Sequence, residues 1–283
     1  MRPQPNRSRP QSGFTVIELL VVIALVALVV SLAIPATRSV RNRAAQAVEV
    51  SAARQLLVGW TSYATDHAGA ILPGYRNGLP AFDENGEPIA SQTIGVAAAR
   101  YPWRIAPYLN HDFRGLYLDA NLRTLDELAA SDRSNYLYQT SVFPSLGLNT
   151  TFVGGDENDG AFSPAYLNVY GKFFVDRLSR VRHTERLLVC ASARGADPQS
   201  GFGESILEGW FRVRSPTFTA PRWGERYLDE DAASCGQVAR RNGARTVCGF
   251  VAGHVEVRTP DELRDMRLWA DQADSVDWAL QPQ

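Results

Sequence analysis

From Phe14 to Ile34 the chain carries one charge, Glu18, in an almost unbroken apolar run. A helix of that length rises about 31 Å at roughly 1.5 Å per residue, enough to cross the hydrocarbon core of a bilayer. Residues 14–35 are therefore expected to form a transmembrane helix. Apolar side chains then recur at every fourth position, at Val40, Ala44, Val48, Ala52, Leu56, Trp60 and Ala64. Arg38, Arg41, Arg43, Glu49 and Arg54 take the other faces. This spacing predicts that 36–65 continues the same helix as an amphipathic segment that docks on a sheet. Pro35 removes one ladder bond and predicts a kink, with two hinged helices as the alternative.

After Thr65 the periodicity ends. Asp66 to Arg100 is dominated by Gly, Pro and Asn, and reads as loop and turn. Tyr101 to Leu109 predicts a short helix packed through Trp103, Ile105 and Leu109, and Thr124 with Glu127 forms a capping box opening a second one. Strand signals, rich in β-branched and aromatic residues, lie at Asn168–Val175, Leu187–Ala191, Trp210–Val213 and Thr246–Val257. The last folds back at Ala252 and Gly253. Thr259, Pro260 and Glu262 supply the N-cap, first-turn proline and capping-box acid of a final helix through Trp269. Residues 66–283 are expected to form one α+β domain. In it the long helix packs on a C-terminal antiparallel sheet, with short helices inserted before that sheet.

Composition excludes more than it selects. With 283 residues, 45% hydrophobic, 21% charged and a net charge of -1, there is material beyond the span for a single globular domain. The balanced charge and the lack of a basic, aromatic-interleaved strip leave no footprint for a nucleic-acid partner. Lys172 is the one lysine among 29 cationic residues. His67, His111, His183 and His254 are dispersed. His183 with Glu185 and His254 with Glu256 share strand faces, but two ligands do not make a metal site. Cys190 lies in an apolar strand and no nucleophile elbow is present, so no catalytic residue and no cofactor is assigned. In the loop Gly154–Gly160, Asp156 and Asp159 are hard oxygen donors suited to calcium, although the spacing departs from an EF-hand and the composition is that of a turn.

Residues 1–13 are polar and proline-rich, carry Arg2, Arg7 and Arg9, and stop at Gly13 just before the apolar run. A secretory signal has an apolar stretch of about 7 to 15 residues with the cut after it, and this run is longer. Gly13, Phe14 and, five positions past the glycine, Glu18 give GFTVIELLVV, which closely resembles the class III leader of type IV prepilins and type II secretion pseudopilins. The resemblance implies that residues 1–13 are a leader. A prepilin peptidase would cut between Gly13 and Phe14 on the cytoplasmic side and methylate the new Phe14 amine. It also implies the type IV pilin fold, with the long helix as spine, an inner-membrane anchor and a periplasmic domain. A charged side chain at a helix centre in lipid costs roughly 2.5 to 3.5 kcal/mol, so Glu18 needs a partner. In the resembling family that partner is the N-terminal amine of a neighbouring subunit, and the alternative is that Glu18 snorkels to the interface. Arg38, Arg41 and Arg43 balance the leader's arginines, so loop charge alone does not orient the span.

On that orientation Cys190, Cys235 and Cys248 occupy a disulfide-permissive compartment. Three pairings are open, and closeness in sequence favours Cys235 with Cys248. QLLVGWTSYATDHAGAILPGY and YPWRIAPYL resemble segments of pseudopilin-like proteins with large heads. GARTVCGFVAGHVEVRTPDELRDMRLW is similar to their C-terminal hairpin, usually written with an Asp-Gly-His turn, whose aspartate is Ala252 here. The expected function is thus a non-enzymatic subunit of a type II secretion or related filament, in partnership with prepilin peptidase, other pilin or pseudopilin subunits and the inner membrane. The alternatives are a minor pilin of a type IV pilus or a membrane-tethered binding or enzymatic domain.

Overall fold

A computed structural model describes residues 15–89, 95–112, 114–197 and 207–283. The chain divides into two compact units, residues 1–44 and 45–283. Helix α1, Val16–Asp66, is 51 residues long and contributes to both. Its backbone stays helical through Pro35, whose side chain lies outside the described residues. The helix, expected to end at Thr65, ends at Asp66.

The four-residue stripe is corrected in its first half. Ala52, Leu56, Trp60 and Ala64 are buried, but Val40 and Val48 are 66% and 68% exposed. Spacing by four drifts around a helix of 3.6 residues per turn, so the stripe cannot remain on one docking face. Glu49, Ala53 and Leu57 occupy the buried face instead. Full burial of Leu56, Leu57 and Trp60 contributes about 1.5 to 3 kcal/mol for each aliphatic side chain and more for the indole.

Short helices precede the sheet: α2 (Tyr101–Ile105), α3 (Asp119–Ser131) and α4 (Arg133–Val142). Trp103 and Ile105 are fully buried. Thr124 lies inside α3, not at its start, so the Thr124–Glu127 capping box is not formed as expected. The cap of this region is Asp132, whose carboxylate accepts from the Asn135 N–H at 3.0 Å and opens α4.

The main sheet has the order β5-β1-β2-β6-β7, with β1 Leu146–Asn149, β2 Leu188–Ser192, β5 Arg212–Val213, β6 Thr246–Phe250 and β7 Val255–Arg258. β3 (Arg194–Gly195) and β4 (Leu207–Glu208) pair separately. The sheet is mixed, because β5 runs parallel to β1 while the other neighbours are antiparallel. The expected strand Asn168–Val175 is replaced by helix α5, Pro164–Tyr170, and a loop. Pro164 after Ser163 provides a pre-set first turn, and Gly171 follows as the C-cap, signals that outweigh the β-branched composition.

Alternation along β6 sorts the core. Val247 joins Leu56, Leu57, Trp60 and Val189 on the α1 side, while Cys248 and Phe250 join Leu263, Met266 and Trp269 on the other. The final helix is also corrected. The Thr259–Glu262 box forms, with the Thr259 N–H and Oγ1 donating to Glu262 at 2.6 and 2.9 Å. However, the backbone makes only two 3-10 turns, Glu262–Arg264 and Met266–Leu268. Asp265 interrupts them by accepting from the Arg267 N–H at 3.0 Å and starting a new turn.

Candidate assembly segment

The first described turn is locally encoded. Thr15 is followed three residues later by Glu18, and the two form a reciprocal cap. The Thr15 N–H and Oγ1 donate to Glu18 Oε2 at 2.8 and 2.9 Å, and the Glu18 N–H donates to Thr15 Oγ1 at 3.2 Å. The resemblance gives Glu18 a partner in a neighbouring subunit; the local T-x-x-E spacing gives it a second, within its own helix. Gly13, Phe14 and the leader 1–13 lie outside the described residues.

Between this cap and Val30 the helix has no polar face. Val16, Ile17, Leu19, Leu20, Val21, Val22, Ile23, Leu25, Val26, Leu28, Val29 and Val30 are each between 47% and 79% exposed. Ser31 turns its hydroxyl back to the Leu28 carbonyl at 2.7 Å, satisfying itself within the helix. A helix that is apolar all round requires an apolar environment on every side. Among the described residues, however, no helix is long and apolar enough to cross a membrane. The side chains described in this run stop at Ser31, and Val16–Ser31 rises about 24 Å, short of a bilayer core of roughly 30 Å. The expected span of 14–35 thus depends on residues at both its ends that lie outside this description.

The other sites read from sequence resolve into structural roles. Asp156 is fully buried. It accepts from Thr150 Oγ1 at 2.8 Å and the Asn158 N–H at 2.9 Å, and pairs with Arg212 at 3.0 Å. Asp159 accepts from Thr151 Oγ1 at 2.5 Å and pairs with Arg222 at 2.9 Å, with Arg214 at 3.9 Å. Burial, followed by the neighbouring Arg212 charge, holds the Arg214 guanidinium below its ordinary range. Arginines and hydroxyls thus take the carboxylate oxygens, and a calcium ion would have to displace them. Among the described residues no three His, Cys, Asp or Glu side chains are grouped to hold a metal.

His254 stacks on Phe250 with centroids 4.7 Å apart, and its ring nitrogens lie 3.7 Å from Glu185 and 3.5 Å from Glu256. In its turn, the Ala252 N–H donates to the Thr184 carbonyl at 3.0 Å, so the position lacking the aspartate is tied down by its backbone.

The expected Cys235–Cys248 bridge is not present, since Cys190, Cys235 and Cys248 are all free and buried. Cys190 lies in the core on the α1 side, while Cys235 and Cys248 belong to the opposite one. Burial pushes the Cys190 thiol up to about 12 against an opposing Gly249 backbone contact, and burial likewise raises Cys248 and Cys235. In the folded protein at pH 8, iodoacetamide should label these thiols roughly a hundredfold more slowly than in urea. Mass-spectrometric counting of adducts checks this, and rapid labelling of Cys190 without unfolding would contradict the burial.

Sequence reasoning missed one further contact. The buried Glu49 of α1 pairs with Arg241, which also reaches Glu208 at 2.6 Å and the Ser145 carbonyl at 3.1 Å. Asn242 adds a bond to Glu49 at 3.4 Å.

Comparison with known proteins bears on the first of these features. No curated protein and no solved structure matches the chain. Residues 8–34 match the model of the prokaryotic N-terminal methylation motif, the segment at which pilin and pseudopilin precursors are cleaved and methylated. That motif indicates a precursor of the type IV pilin-like and pseudopilin type.

Proposed function

We propose that this protein is a structural subunit of a type II secretion or related filament apparatus. In this reading prepilin peptidase removes residues 1–13 between Gly13 and Phe14 and methylates the Phe14 amine. The apolar run 14–35 then holds the product in the inner membrane, with residues 66–283 in the periplasm, until copies associate through their helices. The observation that supports it best is the coincidence of the methylation motif at 8–34 with a helix whose large apolar side chains from Val16 to Val30 all lack cover. Proteins with such segments are normally structural.

Within that reading Glu18 has two successive tasks. In the single copy its carboxylate is occupied by Thr15, which caps the helix and satisfies the acid locally. In the assembly the charged Phe14 amine of a second copy competes for the same oxygens. A charge-assisted bond is roughly twice as strong as a neutral one, and in a low-dielectric setting the difference grows.

Mass spectrometry of the membrane-extracted protein should give a chain beginning at N-methyl-Phe14. Glu18→Ala should still be cleaved and methylated but should fail to enter cross-linked multimers. A mature protein retaining residues 1–13, or normal incorporation of the variant, overturns the proposal.

A further inference from the structure

Two adjacent concavities on the unit 45–283 are left without a role by the assembly reading. The first, about 200 Å³, is lined by Tyr170, Trp278, Leu280, Gln272, Gln281 and Gln283. The second, about 170 Å³, is lined by Phe173, Phe174 and Val175 as well as by Lys172, Arg180, Arg182, Asp176 and Asp271, and shares Gln272 with the first. Their common wall makes them one surface with two chemistries.

The first half is aromatic and neutral. Trp278 is held edge-on against Phe152 with centroids 5.8 Å apart, and Tyr170 packs on Tyr166 at 4.7 Å. The segment carrying Trp278 and the glutamines is tied down at two points. The Leu280 N–H donates to the Phe218 carbonyl at 2.7 Å and the Gln283 N–H to the Val169 carbonyl at 2.8 Å. Gln272, Gln281 and Gln283 are solvent-exposed, and the Gln283 amide packs over Gly171, so the amides of Gln272 and Gln281 are the ones open to a ligand. Each amide both donates and accepts, as a sugar hydroxyl does, and an aromatic ring offers a flat apolar face to the C–H side of a pyranose.

The second half is mixed, with three cations set against two carboxylates beside Phe173, Phe174 and Val175. Lys172 and Arg180 share Asp176, and Asp271 is spent on the backbone N–H groups of Arg182 and His183 at 2.9 to 3.1 Å. The Arg182 guanidinium therefore has no carboxylate among the described residues. A guanidinium fork in that position matches an incoming carboxylate.

We infer that this double concavity binds an acidic polysaccharide. A pyranose ring would lie against Trp278 and Tyr170 under the Gln272 and Gln281 amides, and the carboxylate of the same or next sugar would meet Arg182 beside Lys172. A nucleic acid fits less well, because the aromatic half has no cation to meet its evenly spaced phosphates.

The test is calorimetric titration of the full-length protein, in detergent, with oligogalacturonate, neutral dextran oligosaccharides and a short DNA duplex. Oligogalacturonate should bind, weaken with salt, and outbind dextran and DNA by tenfold or more. Arg182→Gln and Trp278→Ala should each lose tenfold or more. Because Trp278 touches Phe152, Gln272→Ala serves as a second variant at the surface and should lose severalfold with an unchanged melting curve. Absence of heat with oligogalacturonate overturns the inference. So does DNA binding equally well with Trp278→Ala and Gln272→Ala both neutral, which would reduce the surface to a patch of charge. Neither result bears on leader cleavage or on Glu18.

Discussion

Arg241→Ala is expected to destabilise the unit 45–283 by about 3 to 5 kcal/mol, the usual cost of breaking a buried ion pair from one side. The Glu49 side chain is 3% exposed and that of Arg241 9%, so neither can turn to water when its partner is removed. Arg241 also donates to the Ala193 and Ser145 carbonyls, which on its loss retain the Gly209 and Ala193 N–H groups as donors, so the cost falls mainly on Glu49. The Glu208 arm adds less, since that carboxylate is half exposed and screened. The charges themselves are not what the fold needs. Glu49→Leu with Arg241→Met should recover most of the loss, because well-packed apolar pairs of similar volume often match buried ion pairs. Urea unfolding of full-length protein in detergent, followed by tryptophan fluorescence, measures both. A loss below about 1 kcal/mol for Arg241→Ala would show that the pair contributes no more than a surface salt bridge. The consequence for function is direct, because this contact ties α1 to the sheet-bearing residues of its own unit. Under the proposed assembly, a pull on the helix would load this pair together with the core contacts of Leu56, Leu57 and Trp60.

How much of this was legible in the sequence depends on the range of the interaction. The apolar run, the helix to Asp66, β2 and the β6–β7 hairpin follow from composition and period, which are local properties. The Thr15–Glu18 cap is equally local, a T-x-x-E box at the head of the apolar run. Asn168–Val175 shows the opposite failure. Val169, Tyr170, Phe173 and Phe174 look like a strand, but Ser163-Pro164 and Gly171 fix a helix and its end. Glu49 read as a solvated face because nothing near it in sequence announces Arg241, nearly two hundred residues away. The partners of Asp156 and Asp159 were hidden for the same reason, since Arg212 and Arg222 come from far along the chain. Local grammar identified oxygen donors. It could not show that they were already taken.

Gly154→Ala is the second substitution of large expected effect, and it concerns the backbone of that acidic loop. Here the stretches 71–75, 153–157 and 174–176 cross with their backbones in contact. The Gly154 N–H donates to the Val175 carbonyl at 2.9 Å, Gly74 N–H to Gly155 at 3.1 Å, Ile71 N–H to Asp176 at 2.9 Å and Glu157 N–H to Tyr75 at 3.0 Å. At Gly154, φ is +78° and a methyl would strike the Leu72 carbonyl, with Leu72 C and Pro73 Cα only 3.0 and 3.1 Å away. Those neighbours are main chain and cannot rotate aside. A left-handed alanine costs about 1 to 2 kcal/mol, and overpacking a closed site typically adds about 1 to 3. The expected loss is therefore about 2 to 5 kcal/mol. Gly253→Ala separates the two contributions: φ there is +88° but nothing lies within 4 Å of the added carbon, so only the conformational cost of about 1 to 2 kcal/mol should appear. Equal losses in the two variants would mean that the crossing at Gly154 has room to spare.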